Sequence, residues 1–360
     1  MLYLWALKTH GLAAGAAARA ALALLTSLGV CLLAGPSVVA WLARMKLRER
    51  TEKTPIEDEA LRKRIEGKSG TPTMGGLLLL AAGVGSAALW ADLRSALVLV
   101  SLGCTLVLGA LGAVDDRMKL RGMRRTDRGL KARHKLAVQA VVGAAVGGLL
   151  LWAGRSSGVQ YGTPLLSVPG VVGALLFIGW ATFLVGAMSN ATNVTDGMDG
   201  LLAGLTPLAA TVLAGACWAA GTPQTAAALG IAHVPGAAEL AVVCAALTGA
   251  CLGFLCFNRH PAQVFMGDTG ALAIGGGLAS AAVAARQEAL LLLVGAVFVV
   301  EFGSSLLQIG FFKLTGRRIL PIAPLHIMFQ KRGDAEPKVV RGFYLAGAAS
   351  ALAGLTFLLS

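Results

Sequence analysis

Charge is what this sequence lacks. Only 14% of its 360 residues are charged and 56% are hydrophobic, with a mean hydropathy of +0.73. A water-soluble chain of this length needs more charge to cover its surface, so a soluble fold is excluded and the chain reads as a multi-spanning membrane protein. Its apolar runs are about 20 residues long and do not alternate, which excludes a β-barrel. No P-loop and no GxGxxG fingerprint occurs, so ATP-driven and nicotinamide chemistry have no support. The six cysteines all lie in apolar runs without metal-ligand spacing and read as small core- or lipid-facing residues. There is no low-complexity tail, soluble domain or internal repeat.

Glycine and positive charge are abundant. The 47 glycines suit close helix–helix contact in lipid, where small residues let backbones approach. The net charge of +13 would suggest nucleic acid in a soluble protein. In a membrane protein it reads as loop charge asymmetry, so no nucleic-acid partner is expected.

The hydropathy pattern predicts an all-α integral membrane protein with ten spans, over 20–43, 74–91, 95–114, 134–153, 170–188, 200–219, 238–257, 269–285, 289–312 and 341–359. One set of loops then comprises 44–73, 115–133, 189–199, 258–268 and 313–340. Only five basic residues, Lys8, Arg19, Arg94, Arg155 and Arg286, fall on the opposite side; the other 26 of 31 Lys and Arg belong to this set or its helix ends. The positive-inside rule makes these loops cytoplasmic and both termini periplasmic. The expectation is one polytopic domain over 1–360, with its active site built on those loops.

Five aspartates collect on the same face: Asp115, Asp116, Asp196, Asp199 and Asp268. Adjacent carboxylates such as Asp115 and Asp116 repel unless a cation is near, so they suit Mg²⁺ binding or a base of tuned pKa; a helix merely ending in two solvated acids is the plainer alternative. Lys119, Arg133 and Lys135 nearby suggest a place for phosphates and a metal together. Asn190, Asn193, Asp196 and Asp199 recur every third residue, which on a helix puts them on one face and in a short loop would still cluster them; a polar turn between two spans is the plainer alternative. Gly197 and Gly200 would let a ligand approach the backbone.

Asp268 stands where a span begins, so an N-cap is its plain role. Phe265 suits base stacking or interfacial anchoring. Glu301 lies inside a span, where a carboxylate needs a cavity or a partner; a structural hydrogen bond and catalysis are both open. Lys68 precedes the turn Gly70–Gly76 (GTPTMGG), whose backbone N–H groups suit a phosphate. His326 is alone in its loop, and a lone histidine is usually not a ligand.

Together these segments resemble the phospho-N-acetylmuramoyl-pentapeptide-transferase family, among the polyprenyl-phosphate N-acetylhexosamine-1-phosphate transferases. The matching stretches are GTPTMGG, Asp115-Asp116-x-x-Lys119, Asn190–Gly200 (NATNVTDGMDG), His260–Gly270 (HPAQVFMGDTG), Glu301–Lys313, Ala323-Pro-Leu-His326 and Glu336–Arg341 (EPKVVR). They occur in family order over nearly the whole chain after the first span.

The resemblance implies attack of undecaprenyl phosphate on the β-phosphate of UDP-N-acetylmuramoyl-pentapeptide. UMP leaves and undecaprenyl-diphospho-N-acetylmuramoyl-pentapeptide (lipid I) forms, at the cytoplasmic face of the bacterial inner membrane. It implies Mg²⁺ with Asp268 as ligand, Asp115 or Asp116 acting on the lipid phosphate, and Lys119 and Lys135 neutralising charge. Lys68, Thr73, Asn190, Asp196, Asn258 and Phe265 match positions lining the nucleotide pocket, with Asn193 and Asp199 beside them. The resemblance also suggests a homodimer. One departure stands out: where the family has three successive histidines, this chain reads His326-Ile327-Met328, followed by Gln330 in place of an acid. His326 then serves sugar-phosphate recognition alone, or donor preference changes. The rival reading is N-acetylglucosamine-1-phosphate transfer to a polyprenyl phosphate. A transporter would keep its ionisable groups near the midplane, at broken helices, rather than at one face.

Overall fold

The protein, known from a computed structural model, is described over residues 12–45, 68, 70–121, 129–163 and 168–360. Most of the expected 44–73 loop, and residues 122–128 of the 115–133 loop, lie outside the described residues. Among the described residues the regular structure is helical. The elements are α1 (Leu12–Arg44), α2 (Gly76–Trp90), α3 (Ala96–Arg121), α4 (Ala132–Ser157), α5 (Gly170–Thr195), α6 (Leu201–Ala220), the short α7 (Pro223–Ala228), α8 (Ala238–Asn258), α9 (Gly267–Ala284), α10 (Glu288–Val294), α11 (Ala296–Thr315), α12 (Leu325–Lys331) and α13 (Glu336–Leu359).

Each expected span overlaps a helix, the ninth being broken at Gly295 into α10 and α11. Among the described residues eight helices are long and apolar enough to cross a membrane, which makes this a multi-pass membrane protein. The other two spans fall on α2, only 15 residues long, and on the glycine-rich α9. α9 is buried almost throughout, whereas α2 buries one face and leaves Ala81, Gly85 and Leu89 exposed along the other.

α9 is the hub. Nearly all of it is buried, and it packs against α3, α5 and α2. Small residues make this possible: a Cβ at Gly275 would lie 2.4 Å from the Met188 carbonyl oxygen on α5, and one at Gly112 on α3 would lie 2.1 Å from the Asp268 carbonyl oxygen. α8 in turn packs on α1 and α6. The outer surface carries large exposed apolar side chains such as Leu33, Trp152, Val171 and Leu345, as a lipid-facing surface requires.

Two expected boundaries are corrected. Asp115 and Asp116 do not open a loop; they lie inside α3, which continues to Arg121. The helix persists because both acids are satisfied sideways, Asp115 by Lys119 one turn on and Asp116 by the start of α9. Likewise α5 runs through Asn190 to Thr195 rather than stopping near 189. Its terminal polar side chains bond to neighbouring helices instead of to water.

Candidate active site

The two ends of the bundle separate clearly. At one end Arg19, near the start of α1, donates to the Trp90 carbonyl and to Glu239, which also accepts the Asp92 N–H, and Gly354, near the finish of α13, packs on Leu290 and Val294. The other end gathers the last turns of α3, α5 and α8 and the first turns of α4, α6, α9 and α13. Two charged clusters stand there.

The first joins α3, α4 and α9. Lys119 Nζ lies 2.8 Å from Asp115 Oδ2 and 2.9 Å from Asp268 Oδ1. Lys135 Nζ lies 2.6 Å from Asp115 Oδ2 and 2.5 Å from Asp268 Oδ2. Asp115 is fully buried and its second oxygen accepts the Leu130 N–H. The lysine side chains are less enclosed, at 44% exposed for Lys119 and 18% for Lys135. The arrangement is two ammonium groups shared by two carboxylates, open toward solvent on the lysine side.

Asp116 differs from its neighbour. Its Oδ1 accepts the Asp268 N–H at 3.1 Å, and its Oδ2 accepts the Thr269 N–H at 2.9 Å and hydroxyl at 2.6 Å. It satisfies the free N–H groups at the start of α9 from outside that helix, the task of an N-cap. The cap expected of Asp268 therefore belongs to Asp116, which leaves the Asp268 carboxylate for the lysines. Gly267, with φ +74°, starts the helix; a Cβ there would lie 2.6 Å from Asp116 Oδ2 and 3.1 Å from Thr73 Oγ1.

The second cluster joins Lys68, the α5–α6 turn, the end of α8 and the start of α13. Lys68 Nζ lies 2.7 Å from Asp199 Oδ1 and 2.6 Å from Glu336 Oε1. Asp199 Oδ2 is 2.9 Å from His260 Nδ1 and accepts the Ala262 N–H at 3.2 Å, and the Asp199 N–H donates to Glu336 Oε1 at 2.7 Å. Asn258 Oδ1 accepts the Gly200 N–H at 3.1 Å while its amide donates to the Val264 carbonyl at 2.9 Å. Burial opposes the Lys68 charge, but Glu336 and Asp199 outweigh it and hold the ammonium above its ordinary pKa. Asp199, His260 and Glu336 bring ligand atoms within 4.8 Å of one another, a group that could hold a metal ion, with the Lys68 ammonium on its two acids.

Phe265 and the Gly70–Gly76 turn connect the clusters. Lys68 Nζ sits 5.9 Å from the centroid of the Phe265 ring, a cation–π contact. The Phe265 N–H donates to the Pro72 carbonyl at 2.8 Å; Gly75 and Gly76 N–H donate to the Phe265 and Met266 carbonyls at 2.8 and 2.9 Å. These two N–H groups, expected to face a phosphate, are instead used to hold the turn against the entry to α9.

The four residues spaced by three do not act together. Asn190 turns into the α4–α5 interface and donates to Gln139 Oε1 at 2.9 Å. Asn193 lies in the last turn of α5, Asp196 caps it through its backbone, and of the four it is Asp199 that enters the Lys68 cluster. The period of three fails because α5 stops at Thr195 and the chain turns. His326 is 1% exposed, with its N–H on Glu301 Oε1 at 3.1 Å and Nδ1 at 2.7 Å from Glu301 Oε2. Its Nε2 faces Gly197, where a Cβ would lie only 2.1 Å away. Glu301 is thus the buried partner of His326, which answers the question its position in a span raised.

The sequence reading passed over His260, Glu336, Thr269 and Gln139. The first three sit inside the matched stretches, where their type was the only available signal; Gln139, a lone amide in an apolar span, was a signal of its own.

Residues 98–286, which include both acids of the first cluster, match glycosyl transferase family 4. Residues 68–80, including Lys68 and Thr73, match signature 1 of phospho-N-acetylmuramoyl-pentapeptide-transferase. The chain is 39% identical, over 359 residues, to the phospho-N-acetylmuramoyl-pentapeptide-transferase of Gemmatimonas aurantiaca, with 94% of this chain and 93% of that relative covered. On this likeness across almost its full length, the chain belongs to the phospho-N-acetylmuramoyl-pentapeptide-transferase family.

Proposed function

We propose that the protein transfers phospho-N-acetylmuramoyl-pentapeptide from its UDP donor to undecaprenyl phosphate, releasing UMP and forming lipid I for peptidoglycan synthesis. The single observation that carries this reading is the pair of lysines shared by Asp115 and Asp268 at the helix mouths, beside a Lys68–Phe265 platform. A phosphate oxygen of the lipid bonds to the β-phosphorus of the donor, and the bond from that phosphorus to the oxygen bridging to UMP breaks. One diphosphate replaces another, so no ATP is consumed.

Phosphoryl transfer depends mainly on positioning and on neutralising charge. Lys119 and Lys135 would hold the phosphates on the solvent side of the first cluster. Asp115 would orient the lipid phosphate or take its proton; Asp116, with both oxygens bonded to the start of α9, would hold Asp268 in place. Lys68 and Phe265 would receive the uridine, with Asp199, Asn258 and Glu336 fixing Lys68 and its surroundings and Thr73 at the edge. His326 would face the sugar phosphate from beside Gly197, near Asn193 and Asp196.

The hard carboxylate oxygens of Asp268 and Asp115, converging at a phosphate site, fit Mg²⁺. When bound there the ion would neutralise charge developing on the phosphates. The sorting of Lys and Arg to these loops supports a cytoplasmic position for this end in the inner membrane, where a soluble nucleotide and a lipid acceptor would meet.

The test is UMP release from UDP-N-acetylmuramoyl-pentapeptide by purified protein, dependent on undecaprenyl phosphate and Mg²⁺. A parallel reaction with UDP-N-acetylglucosamine addresses the loss of imidazoles at Ile327 and Met328. No UMP from the muramoyl donor would overturn the assignment, and UMP from the N-acetylglucosamine donor alone would replace it with the sister activity.

A further inference from the structure

Gln139 is 1% exposed and stands one turn beyond Lys135 on α4. A primary amide inside a membrane bundle is costly unless its donors and acceptor are bonded. Its Nε2 donates to Ser189 Oγ at 2.9 Å and its Oε1 accepts from Asn190 Nδ2 at 2.9 Å. Those partners are themselves anchored to their own helix. Asn190 Nδ2 also donates to the Gly186 carbonyl at 2.8 Å, and Ser189 Oγ donates to the same carbonyl at 3.1 Å.

The rest of the α4–α5 seam is smooth. A Cβ at Gly143 would lie 2.6 Å from Thr182 Cα, and one at Gly147 2.9 Å from Ile178 Cα. Such a glycine seam fixes how close the helices come but not their relative height; the Gln139 amide supplies the height. A slip of one residue would move Lys135 by about 1.5 Å along the axis and turn it by roughly 100°, which its 2.5 and 2.6 Å contacts do not tolerate.

The same bridge continues to Asp268. On α5, Thr192 Oγ1 donates to the Ala271 carbonyl at 2.8 Å, in the first turn of α9 after Asp268. Lys135 and Asp268 are therefore joined twice, once directly at the helix mouths and once through Gln139, Asn190 and Thr192 deeper in the bundle. We infer that Gln139 and Asn190 form a polar bracket that positions Lys135 against Asp268, and that Asn190 serves the reaction through this bracket rather than by touching the nucleotide. The inference rests on the proposed function and assigns roles within that same site.

The experiment measures kcat and nucleotide KM for UMP release by purified variants. Gln139→Leu and Asn190→Leu should each lower kcat by about 10–100-fold, the range a displacement of about an ångström produces, with KM within twofold of wild type. The double Leu variant should be no slower than the worse single variant, because the pair acts as one unit. The exchanged pair, Gln139→Asn with Asn190→Gln, preserves the combined length and should recover most of the lost kcat. Ser189→Ala, which removes a single hydroxyl and with it the acceptor for Gln139, should give a several-fold loss of kcat if Gln139→Leu does not fold. Wild-type kcat in Gln139→Leu or Ser189→Ala, multiplicative losses in the double variant, or a raised KM with unchanged kcat in Asn190→Leu would each overturn the bracket. Lys135→Met separates the two readings: its full activity would remove the proposed site itself, whereas an inactive Lys135→Met beside a fully active Gln139→Leu would remove only the bracket.

Discussion

The two ends of this bundle use the same kinds of charge in opposite ways. At the end near the start of α1, Arg19 is fully buried and its guanidinium meets Glu239 with contacts of 2.7 and 2.5 Å; the Trp90 carbonyl takes a further bond at 2.9 Å and the Asp92 N–H completes the acid at 2.8 Å. Every group named is used inside the protein, and nothing is left to receive a ligand. At the other end the carboxylates are buried, but the lysines between them are partly open. A closed pair fixes geometry; an open pair, with its ammonium groups reachable and its acids held, is equipped to exchange partners with an incoming phosphate. Buried charge marks both places, and accessibility of the cation tells them apart.

The contrast can be broken in graded ways. The largest effect belongs to Asp268→Asn, which should abolish transfer by about 1000-fold or more, the scale of losing a principal charge-stabilising group, while the purified variant keeps its elution profile and melting temperature. UMP release near wild-type rate would refute the role. Chelation by EDTA should stop the wild-type reaction and added Mg²⁺ should restore it; undiminished turnover in excess chelator would exclude the metal. Lys68→Met should act mainly on nucleotide binding, raising KM by about 10–100-fold with a smaller change in kcat, as measured by steady-state kinetics. Its pH behaviour has a definite sign: a lysine held above its ordinary pKa contributes fully below that value, and its contribution is lost only as pH rises through the raised one. The Lys68-dependent part of nucleotide affinity should therefore be flat across neutral pH and fall only in strong alkali.

The smallest effect on chemistry, and a large one on stability, is expected at the closed end. Glu239→Gln removes the carboxylate bonded to the buried Arg19 guanidinium and should cost about 3–5 kcal/mol of stability, read as a lowered melting temperature. The kcat and KM of the folded fraction should stay within twofold of wild type. A specific loss of kcat there would mean that the two ends are coupled.

Much of this was legible in the sequence. Long apolar runs and the sorting of Lys and Arg gave the spans because lipid forces every spanning segment into a helix. The meeting of Asp115, Asp268, Lys119 and Lys135 was legible because acids and lysines rarely collect at span ends without pairing. Other residues were not legible. His260 and Glu336 matter through Asp199 and Lys68, which are distant in the chain. Asn190 looked like a ligand because its spacing with Asp196 suggested one helical face, yet the helix ends between them and Asn190 faces Gln139.

By itself the sequence determined the helical membrane class, the sidedness of charge and the chemical types gathered at the lysine-rich end, since all three follow from composition and local order. Only the tertiary structure decided the division of labour. Asp116 caps α9 while Asp115 faces the lysines, and an amide deep between α4 and α5 sets the height of Lys135. Such roles depend on which helices meet and in what register, and that is fixed by close packing across the bundle rather than by any segment alone.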